Sequence, residues 1–216
     1  MHLHVITTAT PRKELHVETL GPTLDFLSKK ISIKLHVNVD NVLGQQEYEE
    51  SIEYFKSLPH DTDLILSNSG SFKVAAKNLY TSFTLENEDD LFFWLEDDWK
   101  FVRNQEKFVQ AIIDLPDSKN DFILGGLRDE LNGNPFVGKK FFFDDIQNRY
   151  NNMFTIEDPE IHIWRCATDR YGDRFVLGNY LNLTGTFADM GRKWRKEKNI
   201  SKEDKRSEKL QTWHFK

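Results

Sequence analysis

A chain of 216 residues with 38% hydrophobic and 13% aromatic content is long enough to bury a full core in one domain. Its 29 Lys and Arg against 35 Asp and Glu give a net charge of -6, which argues against a surface built to neutralise phosphate backbones and makes duplex nucleic acid a poor partner. The single cysteine, Cys166, excludes an internal disulfide and a Cys-based zinc site, and no apolar run approaches the ~18 residues of a membrane span. The N-terminus, MHLHVITTATPRK, lacks the charged-then-apolar layout of a signal peptide, so the expectation is a soluble, cytoplasmic protein.

From the N-terminus, His2 to Thr8 reads as a strand of apolar and β-branched residues, punctuated by Thr10-Pro11. Val17, Leu20, Leu24, Leu27 and Ile31 recur at spacings of three and four and predict one apolar helix face, kinked at Gly21-Pro22. Alternation of Ile33, Leu35, Val37 and Val39 marks a second strand, closed by the turn-forming Asp40-Asn41. Tyr48, Ile52 and Phe55 predict an amphipathic helix before Pro59, and Leu64-Ile65-Leu66 a short buried strand running into Ser67-Asn68-Ser69-Gly70. Phe72, Ala76, Leu79 and Phe83 carry a further helix. The run Leu91-Phe92-Phe93-Trp94-Leu95 has the continuous apolar character of a central strand buried on both faces, and it stops abruptly at Glu96-Asp97-Asp98.

Beyond that triplet, Phe108, Ile112 and Leu115 define a helix, and Phe122 to Leu127 a strand containing Gly125-Gly126. Strands and helices alternate through the first ~130 residues, which predicts right-handed βαβ units, a largely parallel sheet and an open α/β sandwich as the fold class. The expectation is a single domain over residues 1–216. Residues 132–150, rich in Gly, Asn and Phe, read as functional loops with one or two antiparallel strands. Asp158-Pro159-Glu160 looks like a capped helix start, continued by Ile161, Trp164 and Thr168 and ended by Gly172. Arg192 to Lys209 is dominated by charge, fitting a solvated helix or a tail that leads to another domain of a longer chain.

The chemistry concentrates in the acidic triplet. Ligands of an open parallel sheet gather beyond the carboxyl ends of the strands, where strand order reverses. Three adjacent carboxylates repel one another, and holding them at the edge of a core is costly unless a cation or hydrogen bonds compensate. A hard divalent ion with oxygen ligands, Mn²⁺ or Mg²⁺, is the expected compensation, and it would bridge to a diphosphate. The bland alternative is a helix start favoured by the dipole of the following segment, and the position after a buried strand weighs against it.

On these residues the chain resembles the GT-A glycosyltransferases. LFFWLEDDW looks like their DxD motif in its EDD variant, which implies Asp98 as the direct metal ligand, with Glu96 and Asp97 reaching the metal through water or holding the ribose. Asn68-Ser69-Gly70 followed by Lys77-Asn78 resembles the segment where a Gly precedes an Arg-Asn pair, Lys77 here offering a point charge in place of a bidentate grip. Thr7-Thr8-Ala9-Thr10-Pro11-Arg12 resembles the loop that cradles base and ribose, and Asp40 the acidic residue that reads a uracil ring. The likeness implies a GT-A open mixed sheet flanked by helices, a nucleotide-sugar-binding half over 2–130, and an acceptor-side half with a charged C-terminal segment over 131–216. Size and the aromatic-rich EDD segment are similar to the small glycosyltransferase domains with which large algal viruses decorate their capsid protein. That likeness implies Mn²⁺, a UDP-sugar carrying a hexose or deoxyhexose, a glycan or glycoprotein acceptor, and the host cytoplasm as the location.

GT-A enzymes often complete the metal shell with a late His, which makes His214 the candidate, beside the alternative that Trp213-His214-Phe215 is a packed or terminal segment. An inverting reaction needs a carboxylate to deprotonate the acceptor hydroxyl, and Asp158 and Asp189 are the candidates; Asp158 also reads as a helix N-cap. Trp164, Tyr171, Phe136 and Tyr150 offer rings for stacking an acceptor sugar or for packing the core. Two readings from other classes compete. One is a metal-dependent nuclease, since Asp98-Trp99-Lys100 satisfies a D-x-K pattern with Asp61 or Asp63 as upstream acid; the other is a nucleotide-binding domain without turnover.

Overall fold

The computed structural model describes residues 1–124, 127, 135–152, 159, 162–163, 165–167, 175–176 and 180–197. The elements in chain order are β1 (Leu3–Ala9), α1 (Lys13–Glu18), α2 (Leu20–Ser28), β2 (Ile33–Asp40), α3 (Gln45–Ser57), β3 (Asp61–Ser67), α4 (Phe72–Ser82) and β4 (Leu91–Trp94). There follow β5 (Trp99–Phe101), α5 (Gln105–Asp114), β6 (Phe122–Leu124), β7 (Phe136–Lys139), α6 (Lys140–Asn152), β8 (Phe175–Val176), β9 (Phe187–Asp189) and α7 (Met190–Glu197). Seven strands form one open mixed sheet in the order β3-β2-β1-β4-β7-β6-β8, while β5 and β9 pair separately. β1 to β4 run parallel, and β7 runs antiparallel to both neighbours. Strand order reverses between β1 and β4, so the crevice expected of an open α/β sheet opens beyond the carboxyl ends of these two strands.

Two apolar layers sandwich the sheet. On one face Leu3, Val5, Leu35, Val37, Leu91, Phe93 and Leu95 pack with Leu20, Leu24, Leu27, Phe55, Phe108 and Ile112. On the other, Ile6, Phe92 and Trp94 pack with Ala76, Leu79, Tyr80, Phe142, Phe143 and Tyr150. β4 is thus buried on both faces, as its unbroken apolar run predicts, and each such side chain is worth roughly 1.5–3 kcal/mol of transfer free energy. Gly138 lies opposite Phe92 in the β4–β7 ladder, and a Cβ there would meet the Phe92 ring at 2.6 Å, so a side chain is excluded by close approach of the ring.

Several expectations change. The helix predicted over Val17–Ile31 is two helices divided at Thr19, where φ is -110° and ψ -75°; Pro22 then falls in the first turn of α2, where its missing N–H is harmless. Val17 is 52% exposed and Leu15 takes the buried position. β3 is an edge strand with Leu66 54% exposed, in place of a buried one. Within residues 132–150 the expected antiparallel strand is β7, but the remainder is the 13-residue helix α6, whose Phe142, Phe143, Ile146 and Tyr150 make a buried stripe. The strand from Phe122 is described to Leu124, and Gly125-Gly126 lie outside the described residues. β7 inserts between β4 and β6, so one sheet draws on residues from both sides of position 130.

Candidate functional site

Parallel strands bring the carboxyl ends of β3, β2, β1 and β4 to one edge of the sheet. At the ends of β2 and β3 lies a cleft of about 410 Å³ lined by Asn41, Val42, Leu43, Gly44, Gln45, Asn68, Ser69 and Gly70. Gly70 adopts φ 61°, a left-handed turn that favours glycine. The acidic turn after β4 lies two strand spacings away from β2, roughly 10 Å across the sheet. The cleft and the acidic turn therefore lie on one edge of the sheet.

Within the triplet the three carboxylates part company. Asp97 is 2% exposed, whereas Glu96 and Asp98 on either side are half-buried. Arg12 Nη2 donates to Asp97 Oδ1 at 2.9 Å and Oδ2 at 3.1 Å, His16 Nε2 lies 2.9 Å from Oδ2, and the Thr10 backbone N–H donates to Oδ2 at 3.1 Å. Thr19 Oγ1 donates to the Asp97 carbonyl at 2.6 Å. Burial pushes the Asp97 carboxyl up, but Arg12 and then His16 outweigh it and hold the group below the ordinary carboxylate range. Burial likewise works against the Arg12 charge, and Asp97 and Asp98 overcome it, raising the guanidinium further. Arg12 Nη2 also lies 3.5 Å from Asp98 Oδ2, and the Trp194 ring of α7 covers the guanidinium at 5.4 Å.

Part of the compensation that the triplet demands is therefore internal. Asp97 and Arg12, expected to face ribose and nucleotide, face each other beneath the crevice instead. The remaining donors, Glu96 and Asp98, fit an ion that keeps waters and takes substrate oxygens, as Mn²⁺ and Mg²⁺ do. Among the described residues no group of three or more His, Cys, Asp or Glu is arranged to hold a metal ion. Glu96 Oε2 accepts a 3.2 Å bond from Trp99 Nε1, which orients it.

Other predicted residues are placed as follows. Asp40 is fully buried and its two oxygens accept bonds from Ser67 Oγ, Ser69 N and Oγ, and Ser71 N, at 2.7 to 3.1 Å. It anchors the β3–α4 loop that lines the cleft, and a carboxylate so occupied is poorly placed to read a base. Thr7, Thr8 and Ala9 are fully buried in β1 and form the floor of the sheet edge. Asn68 and Gly70 line the cleft, while Lys77 is half-buried on α4 and is not part of its lining. Asp189 ends β9 directly opposite Trp99, and the Met190 N–H donates to the Asp98 carbonyl at 2.9 Å, so Asp189 stands beside the triplet across the small sheet. Asp158, His214, Trp164 and Tyr171 lie outside the described residues.

Phe136 and Tyr150 are fully buried, so they pack the core and do not form an acceptor platform. Asp61 and Asp63 sit at the opposite end of the sheet from Asp98, paired with Lys34, which removes the upstream acid of the nuclease reading. Sequence reasoning does not single out His16: it lies in α1 while Arg12 is the non-helical residue before that helix, so their meeting at Asp97 is set by the turn and not by a helix-face spacing.

No family model and no curated protein matches the sequence. Among solved structures, 4-diphosphocytidyl-2C-methyl-D-erythritol synthase from Anaerococcus prevotii DSM 20548 is similar at a TM-score of 0.56 and 13% identity, over 92% of this chain and 96% of that one. S. aureus TarS in complex with UDP-GlcNAc is similar at 0.56 and 14%, over 82% of this chain and 56% of that one. The mannosyltransferase PcManGT from Pyrobaculum calidifontis, in complex with GDP-Man and Mn²⁺, is similar at 0.57 and 11%, over 81% and 54%. The chain thus spans nearly all of the synthase and little over half of the TarS and PcManGT chains. Identities this low establish architecture, and the architecture is the mixed α/β sheet of the GT-A fold.

Proposed function

We propose that the chain is a glycosyltransferase that takes a hexose or deoxyhexose from a UDP-sugar in the presence of Mn²⁺ and passes it to a glycan or glycoprotein acceptor. The observation that carries this reading is the shared edge: a cleft of about 410 Å³ beyond β2 and β3 and an acidic turn beyond β4, one on each side of β1. That spacing suits a nucleoside in the cleft and a diphosphate at the turn. Glu96 and Asp98 would hold the divalent ion, which when bound neutralises charge on the departing diphosphate. Asn68, Ser69 and Gly70 would bound the nucleoside, held in register by Asp40. Asp189, opposite Trp99 in the β5–β9 ladder and so one residue along from Asp98, is the carboxylate we assign to the acceptor hydroxyl's proton. The likeness to capsid-decorating domains adds a glycoprotein to the acceptors worth trying.

A second reading, synthesis of a diphosphonucleoside compound from a nucleoside triphosphate, has in its favour the end-to-end match with the synthase, 96% of that chain. A triphosphate needs a cradle of backbone N–H groups, usually glycine-rich. Here the turn after β1 contains no glycine, and its Thr10 N–H and Arg12 guanidinium are both taken by Asp97. The glycosyl reading is therefore preferred. UDP with Mn²⁺ is expected to raise the melting temperature, and Asp98→Ala to abolish both that rise and UDP release from a UDP-sugar panel. Pyrophosphate release from CTP or UTP with a sugar phosphate, without UDP release from any sugar nucleotide, would instead establish the second reading.

A further inference from the structure

We propose that Arg12 is a positioning residue for the metal-site carboxylate Asp98, a role that rests on the glycosyltransferase reading above. The guanidinium is fastened on its inner side by the two contacts to Asp97 at 2.9 and 3.1 Å. Asp97 cannot shift with it, because His16, the Thr10 N–H and the Thr19 hydroxyl hold the same residue from α1 and the turns that flank it. From this fixed post Nη2 reaches Asp98 Oδ2 at 3.5 Å, with side-chain exposures of only 8% and 14% for the pair. Trp194 closes the guanidinium's open side, and its indole N–H donates to Glu14 Oε1 at 3.1 Å, tying α7 to α1 over the contact. The Asp98 carbonyl is meanwhile held by the Met190 N–H at 2.9 Å, so backbone and side chain of this residue are gripped from two elements.

The arrangement sorts the three carboxylates by depth. Asp97 takes the closest contacts of Arg12 inside the protein, and Glu96 and Asp98 lie half-buried at the crevice, where they would hold a divalent ion. Outer partners that orient a metal-bound carboxylate typically carry a 10- to 100-fold effect on metal affinity. Lysine would keep the charge but carry it on a flexible stem, whereas here a single nitrogen, Nη2, fixed by the guanidinium plane, meets both carboxylates.

The test uses two variants that leave the net charge of the site unchanged. They are Arg12→Lys and the double variant Arg12→Gln with Asp97→Asn, which removes the buried charges together and so avoids stranding one of them. Mn²⁺ uptake in the presence of UDP is read from loss of the free-ion electron paramagnetic resonance signal, with melting temperature as the check on folding. Wild type is expected to take up Mn²⁺ with UDP, and both variants to bind it roughly 10- to 100-fold more weakly while still melting cooperatively. Variants that match the wild type within about twofold, against the 10-fold lower bound for such partners, would overturn the role of Arg12 and leave the donor site standing. A wild type that takes up no Mn²⁺ with UDP would overturn the donor site, and the inference with it.

Discussion

At the residue scale the decisive feature is that one of three consecutive acidic side chains is turned into the protein. The Asp97 carboxylate accepts from the Arg12 guanidinium and the Thr10 backbone N–H, its carbonyl accepts from the Thr19 hydroxyl, and the His16 imidazole lies 2.9 Å away, all beneath the crevice. Truncating Asp97 strands a guanidinium that is almost fully buried, and breaking a buried pair by removing one partner costs about 3–5 kcal/mol. Asp97→Ala is accordingly expected to lower the free energy of unfolding by that amount, read in urea as a lower midpoint with the slope unchanged, and Asp97→Asn to cost less because the amide oxygen still accepts a hydrogen bond from Arg12. Glu96 and Asp98 were legible as candidates from their position after a buried strand. The inward turn of Asp97 was not, because it depends on Arg12 and His16, more than eighty positions away in the chain.

At the element scale, α6 is where local sequence reading failed. Lys140–Asn152 contains six Asn, Asp or Gln residues, a loop-like composition, and a run of three Phe that fits strand and helix alike, so periodicity does not single out the helix. Packing decides it: Phe143 lies 5.0 Å from Phe83, 5.4 Å from Phe92 and 5.5 Å from Tyr80, ring centre to ring centre, and only a helical stripe delivers Phe142, Ile146 and Tyr150 to the same layer. Phe143→Ala is expected to destabilise the fold by about 3–5 kcal/mol in chemical denaturation, with the half-buried Phe141→Ala costing clearly less.

At the scale of the whole molecule, the end of the sheet opposite the crevice carries a buried imidazole pair. His4 Nδ1 and His36 Nε2 are 3.0 Å apart on adjacent strands, Phe83 stacks on His36 at 3.6 Å, and Asp63 and Asp90 flank the pair with Lys34 nearby. Burial pushes His36 down to about 3, and His4 and Lys34 add to it; burial also lowers His4, against the pull of Asp90. An unfolded imidazole takes up its proton near 6.5, whereas folded His36 resists until about 3, so the unfolded state binds more protons in between. Stability from this pair is complete above pH 6.5 and drains away as pH falls toward 3. Melting temperature is expected to drop between pH 7 and pH 5, and His36→Gln to flatten that part of the profile, whatever the activity of the protein proves to be.

Apolar periodicity by itself determined the alternation of strands and helices, the doubly buried β4 and the acidic turn at its end, because burial on one face or two leaves a local imprint on every few residues. Only the tertiary structure decided that β3 is an edge, that Asp40 anchors a loop, that Asp61 and Asp63 lie far from Asp98, and that Arg12 stands among the carboxylates. Those features are pairings between strands and turns distant in sequence, and a charge finds its partner through the order of strands in the sheet, which no local pattern of residues encodes.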